Sequence, residues 1–398
     1  MKVLMLGPGK PSPWNSGLGI AARHIANYLS SKVELILLEP GQEEMILEDQ
    51  ILTHQEKFSK IHDTWEVAES IVHLNIVSSS PDPYIGLKTI REQSVEQKNE
   101  HIQILEEYTN ETLERIQGLE YDLIYAHDWS SIPTALRLKQ ETGKPLVVHF
   151  HSLDYDRMAG KDKSWVHNLE SQAIAVADAV ITVSEYSAGI LKEHYLVDPE
   201  KVFPIHNGFE SYDQVKSVKK VKEDIILFVG RLVEQKGPGL FLEIAEAVHS
   251  KNPNTRFVMA GSGEQQKEIL ETGAYQGFAH KFHFTGHLEQ KKLQELYSIS
   301  SVYCMPSVSE PFGLSAIEAA NAGLPMVLSR QCGAAEILDA AYTADYWEIW
   351  EFADKILELL DNKKACKGMI EKNRKALQSI SWELTADKVL DVFNNLNP

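Results

Sequence analysis

Short apolar runs, each followed by a stretch long enough for a helix, occur in two series along this chain. The first series is Lys2–Leu6, Val33–Leu38, Leu123–Ala126, Leu146–Phe150 and Ala179–Val183. The second is Ile225–Val229, Arg256–Ala260, Lys281–Phe284, Ser301–Met305 and Pro325–Leu328. A strand that is apolar on both faces needs cover on both, and intervening helices supply it. The pattern therefore predicts parallel sheets built from strand–helix–strand units. A polar segment, Ser211–Glu223, carries Lys216, Lys219, Lys220 and Lys222 and separates the two series. The expected fold class is α/β, with two doubly wound domains over 1–210 and 222–381. The last stretch, 382–398, has helical spacing in Trp382, Leu384, Ala386, Val389, Val392 and Phe393, and fits either half. Glu92–Gln117 reads as an amphipathic helix packed on the first domain.

A length of 398 residues allows two or three domains. With 43% hydrophobic and 24% charged residues there is enough apolar mass for two cores. The apolar stretch at Met1–Leu6 is too short for a secretory signal and reads as a first buried strand. No apolar run approaches membrane-spanning length, so no integral membrane association is expected. Cys304, Cys332 and Cys366 are too few for a disulfide framework and not at metal-ligand spacing, which fits a reducing, cytoplasmic setting. The net charge of -18 opposes nucleic acid or anionic lipid as a partner. A local basic site for a phosphate remains compatible with it.

Open α/β sheets bind ligands at the carboxyl ends of their strands. Four loops there are candidates. Pro13-Trp14-Asn15-Ser16-Gly17-Leu18-Gly19 follows the first strand, and its glycines, with a helix start behind them, suit a close approach to an anion. It is not GxGxxG, so a dinucleotide reading is weak. Gly230-Arg231 and Lys236-Gly237 place two cations five residues apart between a strand and a helix; arginine forks onto phosphate and lysine acts as a point charge. Pro238 suits the first turn of that helix. Gly261-Ser262-Gly263 reads first as a plain turn. In the fourth loop, Glu310 precedes a helix starting near Gly313, with Glu318 inside it, and the amides of Phe312, Gly313 and Leu314 suit an anion. Two carboxylates beside an anion site disfavour phosphate alone, but sugar and ribose hydroxyls need acceptors. The combination suits a nucleotide sugar. His127-Asp128-Trp129 offers a polar-aromatic loop for sugar stacking, whereas His149 and His151 share one face of a strand end and read equally as core or loop residues.

These motifs resemble the retaining glycosyltransferases that include glycogen, starch and sucrose synthases and bacterial mannosyltransferases, families 4 and 5, with the two-domain GT-B fold. Glu310 and Glu318, with seven residues between, look like the family's paired glutamates. Gly230-Arg231 with Lys236-Gly237 looks like its donor-phosphate motif. Gly286-His287-Leu288 is similar to the loop that meets the base, and His206-Asn207-Gly208 to the segment closing the first domain. His149-Phe150-His151-Ser152 with Asp156-Arg157, and Ala334–Trp350, are similar to a short glycogen synthase-like bacterial and archaeal subgroup. The resemblance implies two Rossmann-like domains facing across a cleft and a terminal helix crossing back to the first. Arg231 and Lys236 would neutralise a diphosphate, Glu318 hold ribose, Glu310 and His127 meet the transferred sugar, and Gly17, with Gly19, Gly263 and Leu288, complete the donor side. Asp128, Trp129, His151, Tyr155 and Arg157 are the candidate acceptor-side residues. The first glycine loop departs from the usual Gly-Gly pair, which leaves the donor more open than the class.

The activity so implied is transfer of a sugar, glucose first, from a UDP-, ADP- or GDP-linked donor to a glycan, without a permanently bound cofactor. The anomeric configuration would be kept, by attack on the leaving-group face or through Glu310 as a covalent nucleophile. GDP-mannose or UDP-N-acetylglucosamine with a lipid, cell-surface glycan or small-molecule acceptor stays open. A nucleotide-sugar epimerase or a phosphorylase on the same fold is disfavoured by the paired cations and glutamates. So is an inactive sugar-binding scaffold, since all four charged positions are present. Asp154-Tyr155-Asp156 looks like a metal-binding DxD triplet. With two cations already available for phosphate, no metal is expected. Whether the chain forms a homo-oligomer is not readable.

Overall fold

A computed structural model describes residues 1–7, 17–40, 71–76, 94–212, 222–275 and 279–396. The core of the lysine-rich segment, 213–221, and the first part of the first glycine loop lie outside the described residues.

Two all-parallel sheets form. The first holds β1 (Lys2–Leu6), β2 (Glu34–Pro40), β3 (Ile71–Ile76), β4 (Leu123–His127), β5 (Leu146–Phe150), β6 (Ala179–Thr182) and β7 (Val202–Pro204), in the order β3-β2-β1-β4-β5-β6-β7. The second holds β8 (Ile225–Val229), β9 (Arg256–Ala260), β10 (Phe282–Gly286), β11 (Val302–Met305), β12 (Met326–Ser329) and β13 (Tyr342–Ala344), in the order β10-β9-β8-β11-β12-β13. Each is a doubly wound Rossmann-like sheet: the order reverses beside β1 in one and β8 in the other. Crevices for ligands form outside the strand ends at such reversals.

The continuous apolar runs are explained by burial on both faces. Leu4, Leu6, Ile124 and Val148 enter one core with Trp129, Ile132 and Leu138, while Val3, Met5, Tyr125 and Val147 enter another with Ala22, Ile25 and Phe393. The second core includes the helix Trp382–Leu396, whose Trp382, Ala386, Val389, Val392 and Phe393 are all buried there. The chain thus returns to the first sheet after completing the second. The long amphipathic helix runs Val95–Arg115, started by a capping box between Ser94 and Gln97, and buries Leu105 and Tyr108 against the first sheet's layer. No helix among the described residues is long and apolar enough to cross a membrane.

Candidate functional site

A cavity of about 590 Å³ lies between the two sheets' carboxyl ends and is walled by both halves. From the second half come Gly230, Arg231, Gln235, Lys236, Gly261, Ser262, His287, Leu288, Glu310, Phe312, Gly313, Leu314, Ser315 and Glu318; from the first come Gly17, Leu18, Asp128, His151, Ser152 and Asn207.

The cationic loop after β8 is held by close backbone packing. A Cβ on Gly261 (φ +139°) would lie 1.9 Å from the Gly230 carbonyl, and one on Gly263 2.4 Å from that of Leu232. Both positions need glycine because two loops touch backbone to backbone. A single 3₁₀ turn, Glu234–Lys236, then delivers Lys236 to the cavity, and Pro238 opens the helix Pro238–Lys251. The Gln235 carbonyl accepts the Val308 amide at 2.9 Å, tying this turn to the Glu310 loop. The Glu310 amide donates to Gln331 and its carbonyl accepts from Gly333. Its carboxylate, almost fully buried, pairs with Lys236 at 2.5 Å.

Gly313 caps the helix Leu314–Asn321 with φ +98°, and no side chain satisfies that helix start. Gly313, Leu314 and Ser315 line the cavity, so this uncapped helix start lies on its wall, where free amides suit an anion. Glu318, one turn in, accepts the Tyr297 hydroxyl at 3.0 Å. Burial pushes its carboxyl up from the ordinary value, against the hydrogen bonds from Tyr297 and Gln290.

The first half contributes a buried polar layer. Asp128 stands in the left-handed region at φ +54°, unusual for a residue with a side chain. Its Oδ1 accepts the His151 amide at 2.7 Å. Burial pushes its carboxyl up to about 7, opposed by Arg157 and the His151 and Ser152 amides. His151 faces the cavity, and burial holds its ring down to about 3. Behind it, His127 Nδ1 meets His151 Nε2 at 3.0 Å and Tyr125 meets His149 Nδ1 at 2.7 Å. One nitrogen from each of the three histidines lies within 4.8 Å of the others. Their rings stack, with interplanar angles of 20° for His149–His151 and 19° for His127–His151. Ring-plane lone pairs in a stack run side by side rather than converge. The arrangement therefore suits neutral, hydrogen-bonded rings better than three ligands about 2.0–2.1 Å from one ion.

Several candidate residues lie elsewhere. His127 is fully buried, one layer behind the wall, because β4 continues through it in register with His149. Trp129 is in the core, edge-on to Trp165, because a helix, not a loop, begins at Asp128. Arg157 is sealed in an ion pair with Glu170 at 2.5 Å. Tyr155 stacks on His194, away from this cavity. Gly19 is buried and Gly263 serves loop packing; neither is on the wall. Both aspartates of the DxD-like triplet are already committed to hydrogen bonds within the protein. Asp154 accepts from the Ser164 amide and hydroxyl, and Asp156 from the Leu153 amide and the Ser309 hydroxyl. Gln235, Ser262 and Ser315 were not singled out in the sequence; their only signal was adjacency to the charged and glycine-bearing motifs.

The halves are joined around this cavity. Glu336 accepts the Glu185 and Tyr186 amides at 3.0 and 2.7 Å, at the start of the helix Glu185–His194, and pairs with His206 at 2.6 Å. Ser184 donates to the Pro311 carbonyl at 2.6 Å. A Cβ on Gly208 would lie 2.2 Å from the Trp382 amide nitrogen, so the outgoing and returning chain segments cross in contact.

Residues 211–376 match the family described as glycosyl transferases group 1, and residues 16–211 that described as glycosyltransferase family 4. An uncharacterised glycosyltransferase of Methanocaldococcus jannaschii is 29% identical over 296 residues, covering 69% of this chain and 75% of the relative. A glycogen synthase of Mycobacterium tuberculosis is 26% identical over 286 residues, covering 68% of each. An Anabaena protein solved with UDP and glucose has a TM-score of 0.71 at 16% identity, covering 99% of this chain and all of that one.

Proposed function

The chain belongs to the GT-B glycosyltransferases of the family 4 kind, and from that premise we propose that it moves a hexose, glucose first, from a nucleoside diphosphate donor to a glycan with retention of configuration. The division at 1–210 and 222–381, with the last helix on the first half, is taken as the two domains of that reading. The observation that carries it is one cavity wall bearing Arg231, Lys236 and an open helix start next to the buried carboxylates Glu310 and Glu318. Cations and amides suit a diphosphate, and carboxylates suit hydroxyls.

In this assignment Arg231, Lys236 and the Gly313–Leu314 amides take the charge that develops on the leaving diphosphate. Glu318 holds the ribose, Glu310 a hydroxyl of the transferred sugar, and Gly17 and Leu288 close on the donor from either side. His151 takes the sugar-facing role that the sequence offered to His127, since it is the first half's histidine on the wall. The bond from the sugar's anomeric carbon to the diphosphate oxygen breaks, the bond to the acceptor oxygen forms on the same face, and the acceptor proton passes to the departing phosphate. The compartment assigned to this chemistry is reducing and cytoplasmic, a reading that the three free cysteines support.

The test is thermal stabilisation by UDP, ADP and GDP and by their glucose, mannose and N-acetylglucosamine esters. A ligand at 100 times its Kd stabilises the folded state by about 2.7 kcal/mol. A shift with UDP- or ADP-glucose supports a glucan synthase and leads to a maltooligosaccharide acceptor assay. A shift with GDP-mannose moves the proposal to a mannosyltransferase, and no shift with any of them overturns it.

A further inference from the structure

Of the two aspartates in the DxD-like triplet, Asp154 bonds to Ser164 within the first half, but Asp156 reaches the second. Its Oδ2 accepts the Leu153 amide at 2.7 Å and closes the start of the turn Asp154–Arg157. Its Oδ1 accepts the Ser309 hydroxyl at 2.5 Å, across the seam. Capping the turn needs only the first of these oxygens. Burying a carboxylate as completely as this one is costly unless its oxygens find donors, and the second donor comes from the other half.

Ser309 is the residue before Glu310. Its hydroxyl has one proton, and an ionised carboxylate only accepts, so that proton points to Asp156. The Tyr186 phenol, 2.9 Å away, therefore donates to the Ser309 oxygen. Ser309 is itself buried, and among the described residues both partners of its hydroxyl belong to the first half. On the other side of Glu310, the Pro311 carbonyl accepts the Ser184 hydroxyl, again from the first half. The fit there is close: a Cβ on Gly333 would lie 2.3 Å from the Pro311 carbonyl and 2.7 Å from the Ser184 Cβ. Glu310 thus has its own amide and carbonyl tied to Gln331 and Gly333 in the second half, while both its neighbours are gripped from the first.

This grip exists only while the halves are together. Each of its bonds to Ser309 and Pro311 crosses the seam, so separation frees both residues and leaves Glu310 with its second-half ties alone. The Lys236–Glu310 pair and the helix start at Gly313 lie wholly in the second half and are made without it. A group that meets a reacting sugar is sensitive to small shifts, since a misplacement of about 1 Å costs about a hundredfold in rate.

We propose that Asp156 and Ser309 are positioning residues: their bond across the seam sets Glu310 against the transferred sugar, so that this carboxylate is aimed for turnover only when the two halves are together. The role of Glu310 rests on the function proposed above; the grip on its loop rests on the geometry.

The experiment uses the full chain, Ser309→Ala, Asp156→Asn and the double variant, with circular dichroism and melting to show that each folds. Two readings are taken. One is thermal stabilisation by UDP, ADP and GDP. The other is the kcat and KM for release of nucleoside diphosphate from whichever of their glucose, mannose and N-acetylglucosamine esters stabilises the wild type. Ser309→Ala is expected to lower kcat by about tenfold to a hundredfold, with donor KM changed less than about threefold and the bare-nucleotide shift unchanged. A contact that merely holds the halves together would move all three. The double variant should lose no more than Ser309→Ala alone, because both residues act through one bond. Lys161→Ala is the control: it removes a different seam bond, to Glu234, and should leave kcat as it was. Unchanged kcat in Ser309→Ala, an equal loss in Lys161→Ala, loss of the nucleotide shift along with kcat, or losses that multiply in the double variant each overturn the positioning role. If the function reading fails, the pattern differs: no nucleotide stabilises even the wild type, and Glu310 has no donor to be aimed at. A wild type that is stabilised and turns over, matched by Ser309→Ala, refutes this inference alone.

Discussion

Replacing Lys236 with alanine separates the two tasks of that side chain. In the free protein its ammonium neutralises Glu310, whose side chain is only 7% exposed, against 18% for the lysine itself. Removing one partner of a buried ion pair leaves a charge stranded, at a cost of about 3–5 kcal/mol when both are fully enclosed. Lys236 opens onto the cavity, so the low end, about 3 kcal/mol, applies to stability. In turnover, losing one preorganised group on a developing negative charge costs about 2.7–4 kcal/mol, or roughly a hundred- to a thousandfold in kcat. The double variant Lys236→Ala/Glu310→Gln removes the stranded charge as well. It is expected to recover most of the stability and none of the turnover. Urea denaturation gives the first quantity, and release of nucleoside diphosphate from the donor found in the thermal panel gives the second. Turnover restored in the double variant, or never lost in the single one, would refute the assignment of Lys236 to the leaving phosphate.

Other outcomes follow from the same geometry. Burial, with Arg23 nearby, holds His24 down to about 4, where it stacks on Trp382; it stays neutral in the fold while the unfolded chain takes up a proton below about 6.5. The stability it leaves intact above that pH is therefore lost as pH falls towards 4, so His24→Phe should flatten the acid limb of a denaturation profile by about 1.4 kcal/mol per pH unit. Asp128 and Glu170, pushed up to about 7 by burial, act oppositely, their contribution being lost as pH rises, so the quantity to read is the difference between variant and parent; parallel profiles would contradict the prediction. Gly261→Ala, which would drive a Cβ into the Gly230 carbonyl, should cost about 2–4 kcal/mol in chemical denaturation and abolish nucleotide-induced stabilisation. EDTA should leave sugar transfer unchanged, because Asp154 and Asp156 are spent on local hydrogen bonds; full loss restored by Mg²⁺ or Mn²⁺ would return them to the site.

The longer strands were legible because burial on both faces makes them uninterrupted apolar runs. β7 and β13, three residues each, are too short to show a period, and β3 alternates apolar residues with His73 and Asn75. Among the candidate site residues, Arg231, Lys236 and Glu310 could be read because charges on short glycine-bearing loops have few structural reasons to be there, and Glu318 by its spacing from Glu310 on the helix that follows. Depth could not be read. His127 and His151 lie on the same face of neighbouring strands, but β4 carries His127 into the sheet while β5 ends one residue before His151. Trp129 misled for a similar reason: the helix begins at once after β4, without the loop that would have presented the ring to a sugar.

The contact between Gly208 and Trp382 has a mechanical meaning. The polypeptide passes between the halves once going out and once coming back, and at this point the two passages touch, with the Thr385 hydroxyl stitched to the His206 carbonyl at 2.8 Å. One strap would let the halves twist and slide. Two straps fastened side by side leave a pivot, like the pin of a pair of tongs. Any opening about that pin would displace each part of the jaws in proportion to its distance from it, and Asn207, beside it on the cavity wall, would move least. A bulkier residue at position 208 would reset the angle of the jaws without touching anything they hold.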